Sequence, residues 1–110
     1  MLTGKTSQER VAEFIDRYSL EAPVDARLLD LTSESGELAR EYLKETSYGQ
    51  KEFHPAPEWV QEIGDVYFAL LCVAIKSDVN LEQALEDALE RYEARVHEHG
   101  DAGNPRAREQ

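Results

Sequence analysis

An uninterrupted apolar run at residues 66–75 sets narrow limits on the fold. A helix that spans a bilayer needs about 20 apolar residues, so this run is too short to cross a membrane. A helix that is apolar on every side is usually buried on every side. A single layer of helices in a 110-residue chain cannot easily cover such a helix. We therefore expect a second copy of the chain to cover it, in a homodimer or a homotetramer.

The remaining periodicity is helical, and strand patterns are nearly absent. Apolar side chains recur at helical spacing, which predicts helices at residues 7–19, 25–46 and 58–77 and a fourth one that begins after Asn80. Thr6 with Glu9 forms a capping-box pattern, and Asn80 with Gln83 is typical of an N-cap. Pro57 marks the start of the third helix. We predict an all-α fold, an antiparallel four-helix bundle completed by dimerisation.

The domain organisation and compartment follow from length and composition. A chain of 110 residues is one domain, which we place at residues 1–99. The polar stretch at residues 100–110 is expected to be a disordered tail. The start of the chain is polar, without a signal peptide, and Cys72 is the only cysteine. We expect a soluble, cytoplasmic protein that does not bind membranes.

The charge balance is strongly acidic, with 23 acidic and 12 basic residues and a net charge of −11. Such a surface repels phosphate backbones, which argues against a nucleic-acid binder. Two explanations of the acidity remain open and are compatible. The carboxylates could hold a cation, or they could form a solvated surface of the kind found in proteins from high salt.

Two pairs of carboxylates carry the spacing of a metal site. Glu34 and Glu37 are three residues apart on the second helix, and Glu62 and Asp65 are three apart on the third. Residues at i and i+3 share a helix face, so antiparallel packing would bring all four carboxylates together. Four carboxylates in one place repel each other unless some are protonated or a cation lies between them. Carboxylate oxygens favour Mg²⁺ or Mn²⁺.

A solvated acidic face is the alternative interpretation. The same arc of the second helix carries further acids, and the third helix adds one on the same side: Asp30, Glu41, Glu45 and Glu58. Against this alternative, the Glu62–Asp65 pair leads directly into the apolar run, where free carboxylates are costly. Gly36 and Gly64 also lie beside the acids, and glycine costs about 1 kcal/mol in a helix relative to alanine. They predict a tight helix crossing at the acids.

Both halves of this pattern resemble the signature of the MazG-like nucleotide pyrophosphohydrolases. The segments are SESGEL at 33–38 and QEIGDV at 61–66, and they match the Glu-x-x-Glu and Glu-x-x-Asp halves of that family. The resemblance covers residues 28–96 and includes the sequence NLEQA at 80–84. Many members have two glutamates at the start of each half, whereas this chain has Ser33 and Gln61.

The resemblance implies a specific reaction. Members cleave nucleoside triphosphates between the α- and β-phosphates, which releases a monophosphate and pyrophosphate. It implies that Glu34, Glu37, Glu62 and Asp65 bind Mg²⁺, with Mn²⁺ as a substitute. A carboxylate must also orient or deprotonate the attacking water, and Glu37 or Glu41 could do so.

Other residues are candidates for substrate contacts. Arg91 and Arg95 are four apart on the last helix, and guanidinium groups suit phosphate oxygens; ion pairing with Asp87 or Glu98 is the alternative. Lys51 is a candidate phosphate contact or a solvated loop residue. Trp59 could stack on a base, or it could simply pack at the start of its helix.

Three functions remain open. The first is hydrolysis of nucleoside triphosphates in general, as housekeeping of the nucleotide pool. The second is a specialised substrate within the same superfamily, such as dUTP, dCTP or a phosphoribosyl-ATP. The third is a helical interaction module that binds metal without catalysis, which the Ser33 and Gln61 departures favour.

Overall fold

The computed structural model describes residues 4–100, which form four helices and contain no strand. The helices are α1 (Ser7–Arg17), α2 (Val24–Glu45), α3 (Pro57–Lys76) and α4 (Leu81–His99). The all-α prediction is therefore confirmed for this part of the chain. The predicted tail falls almost entirely on residues 101–110, which lie outside the described residues.

The helix starts agree with the capping signals. The Thr6 hydroxyl accepts a hydrogen bond from the Glu9 backbone N–H, and the Glu9 carboxylate accepts one from the Thr6 backbone N–H. The Asn80 side chain likewise accepts from the Gln83 backbone N–H at 3.0 Å. Pro57 occupies the first turn of α3. Each start lies within one residue of its predicted position. Thr6 and Asn80 satisfy amide groups that no helical carbonyl can reach, whereas Pro23 and Ala56, before α2 and α3, make no side-chain cap.

Residues 4–79 form one compact unit. In this unit α2 packs along α3, and α1 packs against α3. The α2–α3 pair is antiparallel, because Glu34 lies beside Glu62 while Glu45, later in α2, lies beside Glu58, earlier in α3. The buried apolar side chains come mostly from the second half of α3: Ile15, Ala69, Leu71, Cys72 and Ala74.

The predicted burial of α3 on every side is not met within the chain. Leu71 and Cys72 are buried, but Leu70 is 39% exposed and Tyr67 is 49% exposed. One face of the apolar run therefore packs inside the unit and another reaches the surface. A fully buried leucine contributes about 1.5–3 kcal/mol, so the exposed face leaves apolar surface available for burial elsewhere.

The prediction that Gly36 and Gly64 mark a tight helix crossing is wrong for the described chain. A Cβ atom added at either glycine would meet no neighbouring heavy atom within 4 Å among residues 4–100. Gly64 lies in an apolar groove that Val11, Phe14 and Tyr67 also line. The spacing of α2 and α3 at the acids therefore does not depend on the missing side chains.

Residues 80–100 form the second unit, which consists of α4. The helix ends at His99, and Gly100 follows in the left-handed conformation with φ of 83°. Its backbone N–H donates to the Val96 carbonyl at 2.8 Å. Leu85 and Leu89 on this helix are 52% and 50% exposed. A bundle of all four helices remains a prediction.

Across residues 4–100, every helix is too short or too polar to reach from one side of a membrane to the other.

Candidate metal centre

Three of the four predicted ligands meet at the α2–α3 contact. Glu34 on α2 and Glu62 and Asp65 on α3 each place a carboxylate oxygen within 4.8 Å of those of the other two. We call these residues the upper cluster. Glu34 and Glu62 are half-buried, and Asp65 is exposed. The i, i+3 spacing and the antiparallel register together produce this convergence, as the sequence predicted.

The charges of the upper cluster oppose one another. Burial raises the pKa of Glu34 and of Glu62, and the Asp65 carboxylate raises both further. The negative charge of Glu37 adds to the effect on both residues. Ionised carboxylates are therefore held in proximity at a cost, which a proton or a cation would remove.

Glu37 is the predicted ligand that lies outside this close group. It is exposed on α2, although its charge acts on Glu34 and Glu62. It is therefore near the cluster without belonging to the three carboxylates that converge. Its predicted role as a ligand remains a prediction.

A second group of carboxylates lies further along the same helix pair. Glu41 and Glu45 of α2 and Glu58 of α3 each place an oxygen within 4.8 Å of the others. We call these residues the lower cluster. Glu41 is 7% exposed, Glu45 is half-buried and Glu58 is exposed. All three belong to the acidic stripe that the sequence predicts, but their spacing does not mark them as a separate group.

Two oxygens of the lower cluster are shielded from solvent and lack partners. These are Glu41 Oε2 and Glu45 Oε2, which have no hydrogen-bond partner among the described residues. Lys44 lies beside this cluster, with its Nζ 3.7 Å from Glu41 Oε1. Buried polar atoms in proteins nearly always have partners, so these two oxygens need explanation.

The loop between α2 and α3 forms an aromatic cluster. The Phe53 ring centroid lies 5.1 Å from that of Tyr42 and 4.9 Å from that of Trp59. Trp59 is half-buried, and its ring meets Phe53 edge to face. It thus has the packing role that we considered as the alternative, and base stacking remains a prediction. Lys51 is exposed in the same loop.

The candidate arginines lie on α4. Arg91 is exposed and Arg95 is half-buried, with the Arg95 guanidinium 5.3 Å from the centroid of the Tyr92 ring. Asp87, considered as an ion-pair partner, accepts a hydrogen bond from Gln83 at 3.1 Å. Phosphate contacts from the two arginines remain predictions.

The ligand chemistry of both clusters is uniform. Every candidate atom is a carboxylate oxygen, and hard oxygen ligands favour Mg²⁺, Mn²⁺ or Ca²⁺ over metals that prefer sulfur or nitrogen. The residues present therefore fit a hard divalent cation. His54 in the loop is exposed, and its Nε2 lies 3.4 Å from Oε2 of Glu52, which is in neither cluster.

The fold and the site together define an all-α protein whose antiparallel helix pair carries two clusters of carboxylates. The chain is similar to the uncharacterized protein YpjD of Bacillus subtilis (strain 168). The two are 34% identical over 103 residues, which cover 86% of this chain and 89% of YpjD. The chain therefore belongs to the same protein family as YpjD. No protein-family model matches the sequence, and no solved structure matches it.

Proposed function

We propose that the protein is a Mg²⁺-dependent nucleoside triphosphate pyrophosphohydrolase of the MazG-like type. It would cleave between the α- and β-phosphates and act in housekeeping of the nucleotide pool. The observation that carries the proposal is the convergence of Glu34, Glu62 and Asp65 within 4.8 Å at the α2–α3 contact. The resemblance to the MazG-like signature implies that these same residues bind the metal.

The upper cluster would hold the cation. Glu34, Glu62 and Asp65 supply the oxygens, and Glu37 stands near enough for its charge to act on two of them. The chemistry that a bound divalent cation supplies is neutralisation of phosphate charge and acidification of water. A chain with a net charge of −11 would otherwise repel a triphosphate.

The residue that orients or deprotonates the attacking water is Glu37 or Glu41. Glu41 is 7% exposed and belongs to the lower cluster, whereas Glu37 is exposed. A carboxylate that takes a proton from water must come within hydrogen-bond reach of it. We therefore favour Glu37, and we expect Glu37→Gln to reduce the rate of hydrolysis more than Glu41→Gln does.

A metal-binding interaction module without catalysis is the second candidate function. Only three of the four predicted ligands come within 4.8 Å of one another in the described chain. Such a set could hold a cation without completing an active site. Tight Mn²⁺ binding by a folded protein that turns over no substrate would favour this candidate.

We also propose a homodimer or a homotetramer assembled through the exposed part of α3. Leu70 and Tyr67 leave apolar surface uncovered in the single chain. In this assembly a second copy would cover that surface, which accounts for a helix segment that is apolar on all sides.

The deciding experiment measures pyrophosphate release from a panel of ribonucleoside and deoxyribonucleoside triphosphates. The panel includes dUTP, dCTP and modified bases, with phosphoribosyl-ATP as a further substrate, and each is assayed with Mg²⁺, with Mn²⁺ and with EDTA. We expect activity that needs the cation and that Glu62→Gln abolishes. The substrate with the highest kcat/KM then identifies the base.

Glu13→Gln is the matched control, since it removes one negative charge from an exposed residue that pairs with Lys5 and lies in neither cluster. It should retain the activity of the unchanged protein. Equal activity in Glu62→Gln and Glu13→Gln would contradict the proposal. So would a lack of turnover on the whole panel by a protein that is folded and has bound the metal.

A further inference from the structure

The lower cluster contains buried carboxylate oxygens that have no hydrogen-bond partner among residues 4–100. The Glu41 side chain is 8% exposed, and its Oε2 has no hydrogen-bond partner in the described part of the chain. Glu45 Oε2 is shielded from solvent and is also without one. Glu58 brings a third carboxylate oxygen within 4.8 Å of those of Glu41 and Glu45.

Lys44 does not account for this arrangement. Its ammonium group lies 3.7 Å from Glu41 Oε1, and its side chain is 71% exposed. Because the ammonium group is largely solvated and lies at a long ion-pair distance, its attraction for the Glu41 carboxylate is weak. Lys44 also contacts Oε1 of Glu41 and leaves Oε2 of Glu41 and of Glu45 without a hydrogen-bond partner among the described residues. The two oxygens therefore still need a partner that residues 4–100 do not supply.

We propose that Glu41, Glu45 and Glu58 form a second divalent-cation site, separate from the upper cluster. The cation joins the last turns of α2 to the first turn of α3. Its ligands are oxygens, so Mg²⁺, Mn²⁺ and Ca²⁺ are the candidates. This site is structural and does not depend on the proposed hydrolysis.

The fold around the site supports a fixed geometry. Thr46, the residue after Glu45, is fully buried at 0% exposure. Its hydroxyl donates to the Tyr42 carbonyl and accepts from the Gly49 backbone N–H, each at 2.9 Å. The end of α2 is therefore held in place directly beside Glu45. Such rigid elements position ligands better than loops do.

The test is a titration of the metal-free protein with Mn²⁺. Binding is monitored by electron paramagnetic resonance and by ¹H–¹⁵N NMR. In the Glu62→Gln variant, which disables the upper cluster, a saturable Mn²⁺ site should remain. Paramagnetic broadening should then centre on the backbone amides of Glu45, Thr46 and Glu58. We expect Glu45→Gln and Glu58→Gln to weaken this remaining site by about tenfold or more, because affinity depends on the number of charged ligands.

Glu13→Gln again serves as the control for an acidic surface that attracts cations without a site. This substitution should leave the affinity of the lower cluster for Mn²⁺ unchanged. Circular dichroism should show that Glu45→Gln and Glu58→Gln fold. Each variant tests the site by itself, so one remains informative if the other unfolds.

The inference is overturned if Mn²⁺ binding to Glu62→Gln is unsaturable, or if Glu45→Gln and Glu58→Gln bind as tightly as their parent. Those results would mean that no cation lies between the buried oxygens. A protein that binds Mn²⁺ at the lower cluster but releases no pyrophosphate would contradict only the proposed function. Hydrolysis by a protein without this second site would contradict only this inference.

Discussion

At the scale of single residues, Glu62 shows how the site opposes folding in the absence of metal. Its pKa is raised by burial and then by Asp65, so the folded protein disfavours the ionised form more than the unfolded chain does. Above the folded-state pKa, ionised Glu62 therefore lowers the stability. This cost disappears as the pH falls through the folded-state pKa to below the unfolded-state value.

We expect Glu62→Gln to raise the melting temperature of the metal-free protein near neutral pH. The gain should shrink as the pH falls into the range where unfolded glutamate is protonated. Thermal melts in EDTA at several pH values measure it, with Glu13→Gln as the control that shows no such gain. A lower melting temperature for Glu62→Gln at neutral pH would show that Glu62 has a stabilising partner and is not held against repulsion.

The two clusters differ in how far the sequence could predict them. Spacing within one helix places Glu34 with Glu37, and Glu62 with Asp65, on shared faces. The position of Glu58 opposite Glu41 and Glu45 depends on the register between two helices. That register is set by packing and by the loop that joins them, so spacing alone could identify the acidic stripe but not its division into two clusters.

At the scale of helices, the starts were predictable and the ends less so. Ser, Thr or Asn at an N-cap leaves a clear sequence signal, whereas C-terminal signals rest mostly on glycine. Here Ser19, Ser47 and Asp78 adopt positive φ after α1, α2 and α3. Such residues adopt this conformation less readily than glycine, so no glycine marks these ends. The predicted ends at residues 19, 46 and 77 lie one or two residues beyond those of the three helices.

Gly36 and Gly64 provide a direct test of the helix crossing. An added Cβ meets no described neighbour within 4 Å at either position, so alanine should stabilise its helix by up to about 1 kcal/mol. Urea unfolding of Gly36→Ala and Gly64→Ala measures the change. A loss of stability in Gly64→Ala that depends on protein concentration would instead place this glycine against a second copy of the chain.

Thr46 stabilises the end of α2 through two hydrogen bonds in a fully buried position. Thr46→Val would keep the shape and leave the Gly49 N–H without its acceptor, which should cost about 1–3 kcal/mol. Thr32→Val is the matched control, because the exposed Thr32 hydroxyl also donates to the carbonyl four residues earlier. Its change in the free energy of unfolding should stay within about 0.5 kcal/mol. Equal effects of the two substitutions would contradict this role for Thr46.

At the scale of the whole molecule, assembly must overcome repulsion. Each chain carries a net charge of −11, so two copies repel each other, and the proposed burial of the apolar surface around Leu70 must outweigh that repulsion. Light scattering should show a dimer or a tetramer at micromolar concentration. The dissociation constant should fall as salt rises from 10 mM to 150 mM, because the Debye length shortens from about 30 Å to about 8 Å. A monomer at every salt concentration would contradict the proposed assembly.

The thiol of Cys72 can be used to detect local unfolding around α3. It is the only thiol in the chain, it is 1% exposed, and burial raises its pKa, so the native thiol is both hidden and unreactive. An alkylating reagent can then reach it only when α3 separates from its neighbours. The labelling rate therefore measures how often the structure opens. If Mg²⁺ slows the labelling, the ratio of the rates without and with Mg²⁺ shows how strongly the cation stabilises the closed helix pair, and no introduced dye is needed.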